Sequence, residues 1–268
     1  MNQRLYKYPR TRHLRGSRQQ PGDEDMDCVP FAELAGRHLV IEEKVDGANS
    51  AVSFGAGGEL LLQSRGHFLT GGAREKHFTL FKQWAQVHRD ALFDRLGSKH
   101  VMYGEWLYAK HTVFYDQLPH YFMEFDILDV ENETFLSTPR RQQLFTGLPI
   151  ASVHVLSSGK IKSLEAITAL LGHSAFISDS HLERLRSDCT ERALDVDRAL
   201  RETDPSTTME GLYVKIEEDG IVQDRYKFIR RGFLTAVLNA EGHWLNRPII
   251  PNRLRSDVKI FESEGGFS

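Results

Sequence analysis

The arrangement of strand-like segments narrows the possible folds of this chain more than any single residue does. AVSFGAGGELLLQSRG reads as two strands around the turn Gly55-Ala56-Gly57-Gly58, and EGLYVKIEE with VQDRYKFIR as two more around Asp219-Gly220. HLVIEEKV, HVMYGEWLY and HYFMEFDILDV are further strands. Helical spacing is confined to two stretches. From Lys76 to Leu96, Phe78, Phe81, Trp84, Ala85, Val87, His88 and Leu92 recur at near-helical intervals, and residues 163–202 carry leucines at 164, 170, 171, 182, 185, 194 and 200. Strands and helices therefore do not alternate as βαβ units. An α+β fold follows, with mostly antiparallel sheets and helices packed outside them. The opening to about Pro30 reads as polar and irregular. No repeat, low-complexity tract or linker divides the chain, so 1–268 is expected to form one domain, with 150–210 a helical region that serves either the core or docking.

Charge by itself says little about partners. The net charge is -3 at pH 7, yet Arg4, Lys7, Arg10, Arg12, Arg15 and Arg18 crowd the opening with no acid among them. Arg225, Lys227, Arg230 and Arg231 form a second basic cluster. Both could neutralise phosphates while the rest of the surface stays acidic. No run approaches the ~18 to 20 apolar residues of a membrane span, and the N-terminus lacks the apolar run of a signal peptide. Cys28 and Cys189 alone provide neither a disulfide framework nor a CxxC metal pair. The expectation is a cytoplasmic protein with no membrane partner.

The common phosphate loops are missing. Gly159-Lys160 runs into Ile161, which is not a Walker A loop. Gly55, Gly57 and Gly58 sit in a hairpin turn and do not lead into a helix, against a Rossmann cradle. HExxH and GxSxG are absent. The scattered histidines indicate no metal cage built from protein side chains.

The strongest local signal is Glu42-Glu43-Lys44-Val45-Asp46-Gly47-Ala48-Asn49, at the end of a hydrophobic strand. A charged strand end followed by a tight Asp46-Gly47 turn accounts for it structurally, but the same residues form a KxDG motif. Four more segments follow in order: Gln63-Ser64-Arg65-Gly66, Tyr103-Gly104-Glu105-Trp106, Phe122-Met123-Glu124-Phe125-Asp126 and Glu210-Gly211-Leu212-Tyr213-Val214-Lys215. Arg225-Tyr226-Lys227 closes the series. Through these segments the chain resembles ATP-dependent RNA ligases, in the RNA ligase 2-like branch of the covalent nucleotidyltransferase superfamily. The match spans Lys44 to Lys227, and the opening KYPRTRHL also resembles the start of such ligases.

That resemblance implies the nucleotidyltransferase (ATP-grasp-like) fold, ATP as cofactor with Mg²⁺ or Mn²⁺, and RNA with 5′-phosphate and 3′-hydroxyl ends as substrate. It implies catalytic roles for Lys44, Asp46, Asn49, Arg65, Glu105, Glu210, Lys215 and Lys227. It also implies nucleotide contacts from Glu43, Lys44, Gly47, Arg65, Glu105, Phe125, Glu210, Lys215, Arg225 and Lys227. Lys44 carries AMP, Glu105 meets the ribose, Phe125 stacks on adenine, and Asn49 and Arg65 hold the RNA end. Lys215, Lys227 and the cation supply the positive field that a neutral lysine nucleophile needs, because a free lysine has a pKa near ~10.4. Phe122 and Phe125 lie three apart, on opposite strand faces, so one can pack inward while the other meets the base.

One departure stands in the last motif, where Arg225 replaces the usual lysine; arginine is a planar fork rather than a point charge. The 41 residues after Lys227 are too few for the OB domain that DNA ligases and capping enzymes carry there, so no OB domain is expected, and whether a partner protein supplies a grip on RNA is left open. Rival readings are a DNA-nick ligase or RNA-adenylating enzyme of the same superfamily, and an inactive RNA-binding relative.

Overall fold

A computed structural model describes residues 3–19, 23, 26–233 and 248–261. Its strands are β1 (Arg12–Leu14), β2 (Cys28–Val29), β3 (Leu39–Lys44), β4 (Ala48–Phe54), β5 (Leu60–Ser64) and β6 (His100–Trp106). They continue with β7 (Phe122–Asp129), β8 (Thr134–Leu136), β9 (Ala151–Ser152), β10 (Val155–Gly159), β11 (Gly211–Glu218) and β12 (Ile221–Ile229). The helices are α1 (Thr79–Val87), α2 (Arg89–Leu96), α3 (Thr138–Leu144), α4 (Leu164–Thr168), α5 (His181–Glu191) and α6 (Val196–Arg201).

All strands join one 12-stranded sheet whose main path runs β10-β3-β11-β12-β8-β7-β6-β4-β5. Every neighbour on that path is antiparallel. Parallel pairing is confined to β1 with β12, β1 with β2, and β9 with β7. The mostly antiparallel α+β architecture read from the strand pairs is the one observed.

Period-two alternation sorts the side chains onto two faces. On β3 and β11, Leu39, Ile41, Leu212, Val214 and Ile216 share one apolar cluster with Ile167 of α4. Helix α1 packs Phe81 and Trp84 onto Trp106 and Phe122, with the Phe81 ring 5.1 Å from Trp106 and 5.2 Å from Phe122. Close strand approach depends on Gly211, where an added Cβ would sit 2.1 Å from the Phe228 carbonyl oxygen.

Three local expectations change. The single helix of 76–96 is interrupted at His88 (φ -96°, ψ 12°), although the Leu92 N–H still reaches the His88 carbonyl at 2.9 Å. The interruption lets α1 bury Phe81, Trp84 and Ala85 while α2 buries Leu92 and Leu96; Val87, counted with the apolar stripe, is 59% exposed. The helical region 150–210 begins instead with β9 and β10, and the opening holds β1 and β2. Strands of two to five residues are too short to print an alternation. Among the described residues, no helix is long and apolar enough to cross a membrane.

Just before β7, the buried His120 accepts the Phe122 N–H on Nδ1 at 2.9 Å, and its Nε2 has no partner. Burial pushes this imidazole down to about 4. A base whose folded pKa lies below its unfolded value binds its proton more readily when unfolded. Stability is therefore complete above the unfolded pKa near ~6.5 and drains as pH falls toward the folded value. We expect His120 to account for roughly 2 kcal/mol of lost stability between about pH 7 and 5. Urea denaturation at both pH values will show a smaller pH effect in His120→Gln; an equal effect would remove His120 as the cause.

Candidate active site

Strand register assembles the site. Lys44, the last residue of β3, pairs with Gly211, which puts Glu210 beside the lysine; Asn49 on β4 pairs with Glu105 on β6. Between them the short segment Val45-Asp46-Gly47 links β3 to β4, which are not neighbours in the sheet. Its glycine is required by close approach, because an added Cβ would lie 2.6 Å from Leu107 Cδ2, 2.8 Å from the Trp106 carbonyl and 3.0 Å from Glu105 Cγ. Lys44, Asp46, Gly47, Asn49, Glu105 and Glu210 line a cavity of about 860 Å³ together with Arg65, Phe125 and Lys227.

Lys44 Nζ donates to both Glu210 carboxylate oxygens at 2.8 Å. Burial works against the Lys44 ammonium, but Glu210, Glu105 and Asp46 outweigh it and hold the amine above its ordinary value. The acids themselves are short of positive charge. Burial pushes Glu105 up to about 8 and Glu210 up to about 7, against the attraction of Lys44 and with the repulsion of Asp46 added. Asp46 turns its carboxylate to the next loop, accepting the Thr112 and Val113 N–H groups at 2.7 and 3.0 Å, while its own N–H donates to the Tyr115 hydroxyl at 2.8 Å. Asp46 thus braces the wall of the cavity as well as lining it.

At another part of the cavity Phe125 meets Tyr8 edge-on, ring centroids 5.1 Å apart, with Tyr213 6.3 Å away. Phe122 takes the other role left open for the pair and is fully buried among Phe81 and Trp84. Glu43 is buried, accepts the Ser174 hydroxyl on one oxygen and has no partner on the other. Burial pushes it up to about 7. Arg65 is exposed on the rim.

Lys215 and Arg225 are not brought to the cavity wall. Lys215 is wholly buried, donates to the Phe125 carbonyl, and lies 2.8 Å from Glu42 Oε2 and 3.1 Å from Asp126 Oδ1. Arg225, its register partner, lies 3.5 Å from Asp126 Oδ2 with its guanidinium 3.9 Å over the Phe135 ring. Arg141 of α3 completes this buried set, donating to Glu42 at 2.6 Å and Glu124 at 2.7 Å. Three cations thus face three carboxylates, of which Glu42 lies on β3 with Lys44, and Glu124 and Asp126 lie on β7 with Phe125. The positive charge of Lys215 is met there by Glu42 and Asp126, and of Lys215, Arg225 and Lys227 it is Lys227 that reaches the cavity.

The sequence reading did not single out Tyr8, Thr11, His67, Glu75 or His77, which also line the cavity. The Tyr8 hydroxyl donates to Asp126 and meets Tyr213 at 3.1 Å, and Thr11 meets Tyr213 at 2.5 Å. The available signal was the opening KYPRTRHL, which contains Tyr8 and Thr11.

The profile of one family, described as RNA ligase, matches residues 37–229. Comparison with curated protein sequences finds no match. Among solved structures, Naegleria gruberi RNA ligase, as a mutant with AMP and Mn, is similar with a TM-score of 0.50 at 16% identity, over 84% of this chain and 56% of that one. Another mutant of the same ligase, with ATP and Mn, gives a TM-score of 0.48 at 18% identity, over 74% of this chain and 51% of that one. This chain spans about half the length of those structures.

Proposed function

The chain belongs to the RNA ligase family, and from that premise we propose that it is an ATP-dependent ligase joining RNA 5′-phosphate and 3′-hydroxyl ends through AMP carried on Lys44. The observation that carries this reading is the lysine itself: its amine enters a cavity of nucleotide size, gripped by Glu210, with Glu105 and Asp46 close enough to perturb it.

An ammonium cannot attack phosphorus. Lys44 must first lose a proton, and the Glu210 carboxylate at 2.8 Å is placed to accept it. The amine then attacks the α-phosphorus, the bond to the β-phosphate oxygen breaks, and pyrophosphate leaves. Lys227 and Arg65 line the cavity where they can meet phosphate oxygens. The AMP passes to a 5′-phosphate of RNA, and a 3′-hydroxyl displaces it, with Asn49 and Arg65 aligning the ends. Phe125 is assigned to the base, Glu105 to the ribose and Glu43 to the base edge. In this reading residues 1–268 act as one cytoplasmic adenylyltransferase unit in RNA repair.

The acids fit a divalent cation. Burial holds Glu105 and Glu210 well above the ordinary carboxylate range, and Asp46 adds its repulsion where Lys44 alone offsets them. Their hard oxygens suit Mg²⁺ or Mn²⁺. Among the described residues no three ligating side chains close on one point, so triphosphate and water would complete the shell. When bound, the cation supplies charge neutralisation.

The test is incubation with Mg²⁺ and α-³²P-labelled ATP, followed by a denaturing gel and by addition of 5′-phosphorylated RNA or DNA. A labelled protein band that is discharged in sealing RNA supports the ligase. Equal sealing of DNA would favour a nick ligase of the same superfamily. A folded, AMP-free protein that takes no label would exclude the covalent route and leave a binding protein.

A further inference from the structure

Lys227 is a motif cation at the cavity wall whose side chain is held by a closed chain of contacts returning to its own strand. Its Nζ donates to Asp23 Oδ2, which lies 3.0 Å from His13 Nε2. His13 is completely buried, and its Nδ1 lies 2.7 Å from Ser17 Oγ. Ser17 Oγ in turn accepts the backbone N–H of Ile229 at 2.9 Å, two residues along β12 from Lys227. The donors and acceptors close in one sense. Ile229 N–H donates to Ser17, the Ser17 hydroxyl to His13 Nδ1, and His13 Nε2–H to Asp23, which also receives Lys227. β1 carries the ring into place, because His13 pairs with Lys227 in parallel register.

We propose that Asp23 is a positioning residue for Lys227, fixing its ammonium at the cavity wall where it meets the nucleotide phosphate. The assignment rests on the lysyl-AMP reading above. Nothing in the motif series names Asp23, which lies 21 residues before Lys44 by sequence number. The electrostatics agree with the geometry. Burial lowers the Lys227 amine, Lys44 and Arg65 lower it further, and Asp23 is the group that raises it. Burial also lowers His13, which suits the neutral tautomer that the chain of donors requires.

The same carboxylate could instead act as a plug on the phosphate site, and the two roles differ in sign. A positioning residue speeds Lys44 labelling when present; a plug slows it. The experiment measures the maximal rate of Lys44 labelling and the half-saturating ATP concentration in the full chain, with thermal melts alongside. Wild type, Asp23→Asn, Asp23→Glu, Lys227→Gln and the double variant Asp23→Asn with Lys227→Gln are compared. We expect Asp23→Asn to lose about 10- to 100-fold in maximal rate, with a smaller change in half-saturating ATP. Asp23→Glu should recover most of that rate. The double variant should be no slower than Lys227→Gln alone, since the two residues act as a unit. Faster labelling or an unchanged rate in Asp23→Asn, or deficits that multiply in the double variant, would overturn the assignment. Should Asp23→Asn not fold, His13→Gln carries the same test, and its deficit must likewise vanish in the Lys227→Gln background. Absence of label in wild type would instead strike the lysyl-AMP reading.

Discussion

Lys44→Ala will abolish labelling of the chain by α-³²P-labelled ATP, a fall of at least about four orders of magnitude, because no neighbouring group can replace the amine. Neither of the other two motif lysines is placed to substitute for it. Lys215 is buried among Glu42 and Asp126, and Lys227 is held by Asp23. The variant will still fold. Glu210 loses its ion-pair partner, yet burial already places it at about 7, so near neutral pH it takes up a proton rather than remain a buried, unpaired charge. Lys44→Arg sharpens the result, because it keeps the counter-charge for Glu210 and removes the nucleophile. Both variants should melt near wild type and stay unlabelled. A labelled band in a folded Lys44→Ala protein would place the adenylate on another residue.

Why Lys44 was legible and the cations around it were not is a matter of sequence distance. Lys44, Asp46 and Gly47 sit within four residues, and their spacing records one strand end and one turn. Glu105 and Glu210 were legible only through the resemblance of their segments to ligase motifs, and the structure adds that each flanks a glycine at a close approach. Lys215 and Arg225 carry the same kind of local signal, but what decides their role is who receives them. Their partners Glu42, Asp126 and Phe135 lie on β3, β7 and β8, brought together by register alone. Five-residue spacing from Glu210 says nothing of that. Tyr8, Thr11, His13 and Asp23 lie in an opening that reads as irregular, since a three-residue strand pairing in parallel with β12 has too few alternations to show. Phe122 and Phe125 are the intermediate case. Alternation separated their faces, the resemblance assigned Phe125 to the base, and in the structure Phe122 packs inward against Phe81 and Trp84.

Arg141→Met is the substitution we expect to cost the fold most, by about 3 to 5 kcal/mol. Neither the size of the side chain nor the strength of its ion pairs is the reason. A buried pair adds little over an apolar replacement of both partners; the penalty comes from removing one partner and leaving the other charged in the interior. Arg141 stands between Glu42 and Glu124, both buried, and its loss leaves Lys215 and Arg225 to balance Glu42, Glu124 and Asp126. Glu124 is the weak point. Burial already raises it above the ordinary carboxylate value, while Arg141 is the foremost influence holding it down. An acid with a raised folded pKa is easiest to fold when protonated, so its stability contribution is intact below the unfolded pKa and declines as pH climbs toward the folded one. Removing Arg141 lifts that folded value further. The deficit of Arg141→Met should accordingly be larger near pH 7.5 than near pH 5 in urea denaturation. Arg141→Met with Glu124→Gln should recover part of the loss at the higher pH. Because β3 and β7 also carry Lys44 and Phe125, the variant that remains folded should label more slowly than wild type. A deficit that is equal at both pH values, or one that Glu124→Gln deepens, would mean that Arg141 contributes through packing and not through the buried carboxylates.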